Sequence, residues 1–302
     1  MTTMTTSAPA VGAVPRGRAG FLGAMRSEFT KIRSVRSTYW TLLALVVASI
    51  GIGALFSWGQ TQRLASLKTG LTLNGRALSH AQAAALVAQR AAEIRSTAVS
   101  VSLFGLLIGQ LIIVVLGALV ITSEYSTGMI RTSLTTMPRR GTVYAAKAVV
   151  FSLVALVVGL VTSFVAFFIG QAILSTQSVS TSLGEPNVLR SVIGGGLFLA
   201  VTGLLSFGLG AMLRHTAGAI SAGIGLMFVL MILTNFLPGP PSGWFGQADI
   251  DKWIPFFAGS HIWQSQIVGV NPFSPWVGFA VFGGYAAVAI AGGLIAFLRR
   301  DA

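Results

Sequence analysis

The chain has 302 residues, of which 54% are hydrophobic and only 9% are charged, and its net charge is +13. A soluble domain carries roughly a quarter charged residues, so the composition excludes an ordinary soluble protein and predicts a polytopic membrane protein. The absence of cysteine excludes disulfides, thiol catalysis and cysteine-ligated metals. Because the basic residues fall between apolar runs, anionic headgroups and membrane topology explain the charge better than nucleic acid does.

The amino-terminal part combines a polar tail with an amphipathic segment. Residues 1–20 are rich in Thr, Ala, Gly and Pro and lack the apolar core of a secretion signal, which predicts a disordered cytoplasmic tail. From Phe21 to Arg36, apolar residues recur at helical spacing, with Glu28 and Lys31 placed to pair. This pattern predicts an interfacial helix in the headgroup plane. The alternative is that the segment is only the positively charged end of the first span.

Six apolar segments are long enough to cross a membrane. The predicted spans cover residues 41–58, 101–123, 142–174, 192–213, 217–237 and 276–298. Most of the 20 basic residues then fall on the side of the N-terminus, which the positive-inside rule assigns to the cytoplasm. The sequence therefore predicts an all-α fold with six transmembrane helices, both termini in the cytoplasm, and a single transmembrane domain over residues 21–302.

Two outer segments, 59–100 and 238–275, separate spans on the other side of the membrane. In the first, Asn74-Gly75 predicts a hairpin, and Ser79–Ser96 predicts a helix that Ser79 caps. In the second, residues 254–267 are too short to cross and rich in aromatics, which predicts interfacial or re-entrant short helices.

Glycines mark two places inside the spans. Gly105 and Gly109 form a small-xxx-small pattern in the second span, which permits close packing either within the chain or between two copies. The run Gly194–Gly196 in the fourth span predicts a flexible stretch.

The sequence lacks the residues that several classes of activity need. No ionisable group lies near the middle of a span, because Glu124 and Lys147 are toward the ends, and this disfavours ion coupling. The zinc motif H-E-x-x-H, the G-x-S-x-G elbow and the phosphate-binding loop of ATPases are all missing, so we expect no metal site and no hydrolysis of ATP by this chain. If the chain does directional work, the energy must then enter from a partner. Polar span residues that can line a path, or simply bond between helices, are Gln110, Thr202, Ser206 and Asn235.

A basic island, Glu124–Lys147, lies between the second and third spans. Ile130, Leu134 and Met137 recur in it at helical spacing, and Pro138 prevents the helix from continuing. The pattern predicts a short amphipathic helix at the membrane surface that a soluble partner can hold. The alternative is a charged loop that only fixes topology.

Three segments also carry a resemblance to a known family. Ser27–Trp40 (SEFTKIRSVRSTYW) is similar to an amino-terminal connecting helix, and Glu124–Leu134 (EYSTGMIRTSL), followed by Pro138–Gly141 and Lys147, resembles a coupling-helix region. Trp253–His261 (WIPFFAGSH) is similar to an outer segment before the last span, although two of its residues depart from the commonest form. The family is that of type-2 ABC exporter permeases of the actinobacterial type.

The resemblance implies a permease subunit of an ATP-driven exporter in a bacterial plasma membrane. It implies a second permease, often an identical copy, and two cytoplasmic ATPase subunits that bind ATP and Mg²⁺, so this chain itself is expected to hold no cofactor. The residues expected to contact the ATPase are Glu124, Gly128, Met129, Ile130, Arg131, Leu134, Pro138 and Arg139. Those expected in the connecting helix beside it are Arg26, Glu28, Phe29, Lys31 and Arg33.

The uncharged span interiors favour an amphipathic, drug-like or lipid-like cargo. Two other classes stay open. The first is a non-transporting membrane sensor or immunity subunit. The second is an ion-coupled secondary carrier, which would need a buried acid that the sequence does not predict.

Overall fold

The computed structural model describes residues 20–69, 72–73, 76–77, 79–129, 140–234, 236, 250–265 and 273–299. The predicted tail, except Gly20, lies outside these residues. The helices in chain order are α1 (Phe21–Ser34), α2 (Arg36–Thr69), α3 (His80–Ser96), α4 (Ala98–Ser102), α5 (Leu106–Ser126), α6 (Arg140–Ser175), α7 (Val188–Leu213), α8 (Thr216–Ile224), α9 (Leu230–Thr234), α10 (Pro255–Ser260) and α11 (Pro275–Arg299). A π-helical turn, Gly225–Val229, joins α8 to α9.

Six helical segments of the described residues are long and apolar enough to span a membrane: α2, α5, α6, α7, the α8–α9 segment and α11. This confirms the predicted all-α fold with six spans. Two helices are longer than a membrane requires. The 36 residues of α6 extend about 54 Å at 1.5 Å per residue, against a hydrocarbon core of about 30 Å. The first predicted span ended at residue 58, whereas α2 continues through Gly59 to Thr69.

The outer segment after α2 contains the predicted hairpin and the predicted helix. Strands β1 (Thr72–Leu73) and β2 (Arg76–Ala77) pair antiparallel around positions 74–75. Helix α3 begins with a capping box, in which the Ser79 hydroxyl accepts a hydrogen bond from the Gln82 amide and the Gln82 side chain accepts one from Ser79.

Helix α7 is the most buried span and lies at the centre of the bundle. Small residues allow three neighbouring helices to approach its backbone closely. The backbone contacts pair Gly117 of α5 with Gly203, Gly159 of α6 with Gly196, and Ala289 of α11 with Gly208. A side chain at these positions would push two helices apart, so α7 can have three packed neighbours only because the positions are small.

The glycine run Gly194–Gly196 is not the flexible stretch that the sequence predicts. All three residues are buried within regular α7 helix. A Cβ at Gly194 would overlap the backbone of Ile262, and one at Gly196 would lie 2.7 Å from the backbone nitrogen of Leu160. The glycines serve close packing rather than bending.

The second span is not one continuous helix, as predicted, but is interrupted at Leu103–Gly105 between α4 and α5. One backbone carbonyl and one side-chain hydroxyl near the break accept hydrogen bonds from a single side chain of α6. The Gln171 amide of α6 donates to the Ala98 carbonyl over 3.1 Å and to the Ser102 hydroxyl over 2.9 Å. Without water to hydrogen-bond, a break inside a membrane needs such side-chain partners.

The small-xxx-small pattern of the second span packs within the chain. A Cβ at Gly105 would overlap the Ser49 carbonyl oxygen of α2 and lie 2.8 Å from the Gly53 amide nitrogen, and one at Gly109 would overlap the Ser49 hydroxyl. The α2 and α5 backbones therefore touch at this point, which decides between the two alternatives that the sequence left open.

The second outer segment, described from Ile250 to Ser265, returns into the bundle. Helix α10 is largely buried there, and its Gly259 packs on Phe198 of α7 and Phe282 of α11. Arg190 of α7 donates to the carbonyl oxygens of three residues that follow α10: His261 (3.0 Å), Ile262 (2.8 Å) and Gln264 (3.1 Å). The arginine thus binds the segment that follows α10 to the first turn of α7.

We expect acid to destabilise the fold through His261, which follows α10. Burial lowers the pKa of the His261 imidazole below its usual 6.5. At pH values below that usual value the imidazole binds a proton in the unfolded chain but stays neutral in the folded chain. The free energy of unfolding therefore falls as the pH drops toward the folded pKa. We expect the thermal midpoint in detergent to fall from about pH 7.5 to about pH 5.5 more in the wild type than in His261→Gln. Identical profiles for the two proteins would contradict this expectation.

Candidate functional site

The amphipathic helix α1 lies against α6 by a narrow line of contact. Ala24 and Glu28, four residues apart and therefore on one face, are its buried residues, whereas Leu22 and Phe29 are exposed. The helix ends at Ser34, and Val35 is extended before α2 begins. This break allows α1 to take a direction of its own beside the spans.

Four charged side chains from three helices meet where α1 contacts the bundle; we call them the charge cluster. It consists of Glu28 and Lys31 of α1, Glu124 of α5 and Lys147 of α6. The Lys147 ammonium lies 2.5 Å from the Glu28 Oε2 and 2.7 Å from the Glu124 Oε1. The Lys31 ammonium lies 2.7 Å from the Glu28 Oε1 and 3.2 Å from the Glu124 Oε1. Each lysine thus contacts both carboxylates, and the four formal charges cancel.

The charge cluster is buried. Glu28, Glu124 and Lys147 are only 4%, 6% and 4% exposed, and the Lys31 side chain is 30% exposed. Burial lowers the pKa of Lys31, but the hydrogen bonds and negative charges of Glu28 and Glu124 outweigh it and raise that pKa above its usual 10.5. Lys31 therefore stays charged at neutral pH. Buried ions of this kind persist only when paired.

The last turn of α5 is also held on its other side. The Arg214 guanidinium lies 4.8 Å from the centre of the Tyr125 ring and donates to the Ala296 carbonyl of α11 over 3.0 Å. The Thr216 hydroxyl of α8 lies 3.0 Å from the Thr122 hydroxyl. Arg214 adopts a left-handed conformation (φ 56°), which turns the chain sharply between α7 and α8. One turn of α5 thus contacts α1, α6, α8 and the α7–α8 turn.

The structure separates the residues predicted for the connecting helix into two groups. Glu28 and Lys31 make the predicted pair and belong to the charge cluster. Arg26, Phe29 and Arg33 are exposed on α1.

The residues predicted to contact an ATPase lie mainly in a part of the chain that the structure does not describe. Glu124 belongs to the charge cluster, Gly128 is left-handed (φ 69°) just after α5, and Met129 is 45% exposed. A left-handed glycine at this position ends a helix without steric cost. Outside the described residues are Ile130, Arg131, Leu134, Pro138 and Arg139.

The residues suggested for a translocation path are packed inside the bundle where they are described. Gln110, Thr202 and Ser206 are all fully buried. Thr202 donates to its own helix at Phe198 over 2.7 Å, and Ser206 donates across to Val114 of α5 over 2.5 Å. Thr202 and Ser206 therefore form hydrogen bonds within a helix and between helices. This is the second of the two roles that the sequence left open for the polar span residues. Asn235 lies outside the described residues.

The prediction that the chain buries no acid is wrong, since Glu28 and Glu124 are both buried. They do not restore the ion-carrier alternative, because each is bound to two lysines and neither lies near the middle of a span. The sequence analysis placed Glu28 and Glu124 in two segments expected to lie beside each other, but it did not identify Lys147 as their shared partner. It also did not predict the contact between Tyr125 and Arg214. The sequence did contain a signal. The chain has only seven acidic residues, and two of them stand within basic segments, where each carboxylate has several basic residues as potential partners.

Comparison with known proteins adds one positive finding. A family model described as ABC-2 family transporter protein matches residues 22–302, nearly the whole chain. No curated protein gave a match. Members of this family are transmembrane components that lack the nucleotide-binding domain. With six apolar helices and a match over almost its full length, the chain belongs to the ABC-2 transporter family and is a membrane-spanning permease of an ABC transporter.

Proposed function

We propose that the chain is the permease subunit of an ATP-driven exporter and receives its driving motion from separate cytoplasmic ATPase subunits. The observation that supports this most is the last turn of α5. It leads directly into residues 130–139, where we place the contact with the ATPase, and Glu124 and Tyr125 bind it to the surrounding helices. A displacement of that segment would therefore move several spans together.

The charges suggest how the motion travels. When the ATPases close on ATP, residues 130–139 are pushed and the end of α5 moves. Glu124 passes the displacement through Lys147 to α6 and through Lys31 to α1, while Tyr125 passes it through Arg214 to the turn before α8. Buried ion pairs suit this role because separating their charges is costly. The helices then move as rigid bodies, as in other packed switches.

We further propose the assembly and the cargo class. Two ATPase subunits, each binding ATP and Mg²⁺, and a second copy of this permease would complete the exporter in a bacterial plasma membrane. Both termini would lie in the cytoplasm, on the side of most basic residues. The cargo would be an amphipathic drug-like or lipid-like molecule moving outward, since no charged side chain lies near the middle of the described spans.

Affinity purification in mild detergent tests the partner. A cassette ATPase should co-purify with the tagged wild-type chain and should be lost after high-detergent washing. A histidine kinase in its place, without an ATPase, would contradict the proposal and support the sensor alternative.

Charge reversal at Arg131 tests the coupling. With the co-purified ATPase in lipid vesicles, Arg131→Glu should leave the complex assembled but reduce ATP-dependent movement of a fluorescent phospholipid at least about tenfold. A tenfold loss corresponds to about 1.4 kcal/mol, less than like charges typically cost at an interface. Arg90→Glu, the same reversal on the outer helix α3, is the control. Unchanged transport by Arg131→Glu would count against the coupling.

The absence of cysteine gives a direct test of topology. Single-cysteine variants Arg131→Cys and Arg139→Cys should resist a membrane-impermeant maleimide in intact cells and react after the cells are opened. Labelling from outside would place the segment on the wrong face for a cytoplasmic ATPase.

A further inference from the structure

A groove runs between α1 and α6 on the side away from the charge cluster. It has a volume of about 690 Å³, which is within the roughly 300–1,000 Å³ of ligand sites. Apart from Thr30, whose hydroxyl donates to the Arg26 carbonyl over 2.8 Å, and Arg26 itself, all its lining residues are apolar. Among the described residues, Arg26 therefore supplies the one charge in the lining.

No other described residue covers the groove walls. Leu22 and Phe29 of α1 are 72% and 52% exposed, and Leu153 and Val157 of α6 are 50% and 59% exposed. Because α6 is long and apolar enough to span a membrane, we expect Leu153 and Val157 to face hydrocarbon rather than water. One wall of the groove is α1, and the basic residues of α1 hold that helix near the lipid headgroups.

The length and charge of the groove indicate what kind of molecule it can bind. Its α6 wall runs from Val150 to Val158, about 12 Å of helix, which is close to the thickness of one leaflet at about 15 Å. The single acid of α1, Glu28, is neutralised in the charge cluster, so the exposed surface of α1 is cationic around Arg26 and Arg33. We propose that the α1–α6 groove binds one acyl chain of an anionic phospholipid, with its phosphate at Arg26.

A second copy of the chain is a less suitable occupant. In a two-fold dimer the same patch appears on both sides of the interface. An interface through this groove would therefore bring two cationic α1 helices together, whereas an anionic lipid neutralises them. The proposal does not depend on transport or on the ATPase, so it can fail while the proposed function stands.

A cysteine placed in the groove provides the measurement. Leu153→Cys, unique in a cysteine-free chain, is labelled with a bimane fluorophore and placed in nanodiscs with brominated phosphatidylglycerol or brominated phosphatidylcholine at equal mole fraction. A basic residue near an anionic surface contributes about 1 kcal/mol, so phosphatidylglycerol should be enriched about fivefold at the groove and should quench more strongly. Equal quenching by the two lipids would overturn the proposal.

Matched variants separate a site from general attraction. Arg26→Gln should abolish the preference for phosphatidylglycerol, whereas Arg33→Gln, which removes the same charge from α1 outside the groove, should preserve it. Val154→Trp should fill the groove and reduce quenching by both lipids. Equal effects of Arg26→Gln and Arg33→Gln would indicate only surface attraction. A disulfide-linked dimer through Leu153→Cys would show that a second copy covers the groove; either result would overturn the proposal.

Discussion

Replacing Lys147 with methionine is expected to destabilise the protein by about 3–5 kcal/mol, because it leaves two buried carboxylates with one lysine between them. Methionine keeps most of the side-chain volume, so the loss measures charge rather than packing. For a chain of 302 residues the thermal midpoint should fall by roughly 5–8 °C. The measurement is the fraction of detergent-solubilised protein that remains monodisperse after heating.

Two variants make this expectation specific. In Glu28→Gln combined with Lys147→Met, Lys31 and Glu124 remain as a balanced pair, so at least about half of the lost stability should return. Arg90→Met breaks the exposed Arg90–Glu93 pair and should cost less than about 1 kcal/mol. If the double variant is as unstable as the sum of its single changes, the four charges do not act as one buried cluster.

Gly105→Ala is expected to cost about 1–3 kcal/mol, although alanine is the better helix former. The added Cβ would overlap the Ser49 carbonyl oxygen, and both contacting groups belong to backbones that no rotamer change can move. Helix α2 would have to move away from α5, which would also loosen the break that Gln171 supports.

The matched control lies two residues from the same contact, between Ser49 and Gly53. A Cβ at Gly51 of α2 meets no atom within 4 Å, so Gly51→Ala should leave the thermal midpoint unchanged or raise it, by up to about 1 kcal/mol in stability. Opposite signs for the two alanines support contact-driven packing of α2 on α5. A similar loss in both would instead indicate a general effect of glycine on these helices.

The apolar patterns of the chain were enough to predict the six spans and their helical class. Apolar runs such as α6 and α11 are so long that only a membrane span accommodates them, and the Phe21–Ser34 stripe predicts its helix locally. Where tertiary contact decides the local structure, the predictions failed. The break at Leu103–Gly105 depends on α2 and on Gln171 of α6, and the regular helix through Gly194–Gly196 depends on the neighbours that close around it.

The sequence by itself determined the six spans, the helical class, the amphipathic α1 and the Glu28–Lys31 pair, because each depends on residues within a few turns of one another. Only the tertiary structure decided that Lys147 joins Glu28 across 119 positions and that Arg214 covers Tyr125. Local spacing cannot reveal such contacts. A charge in a low-dielectric interior is costly unless it is paired. The packing of the helices determines which opposite charge lies within reach.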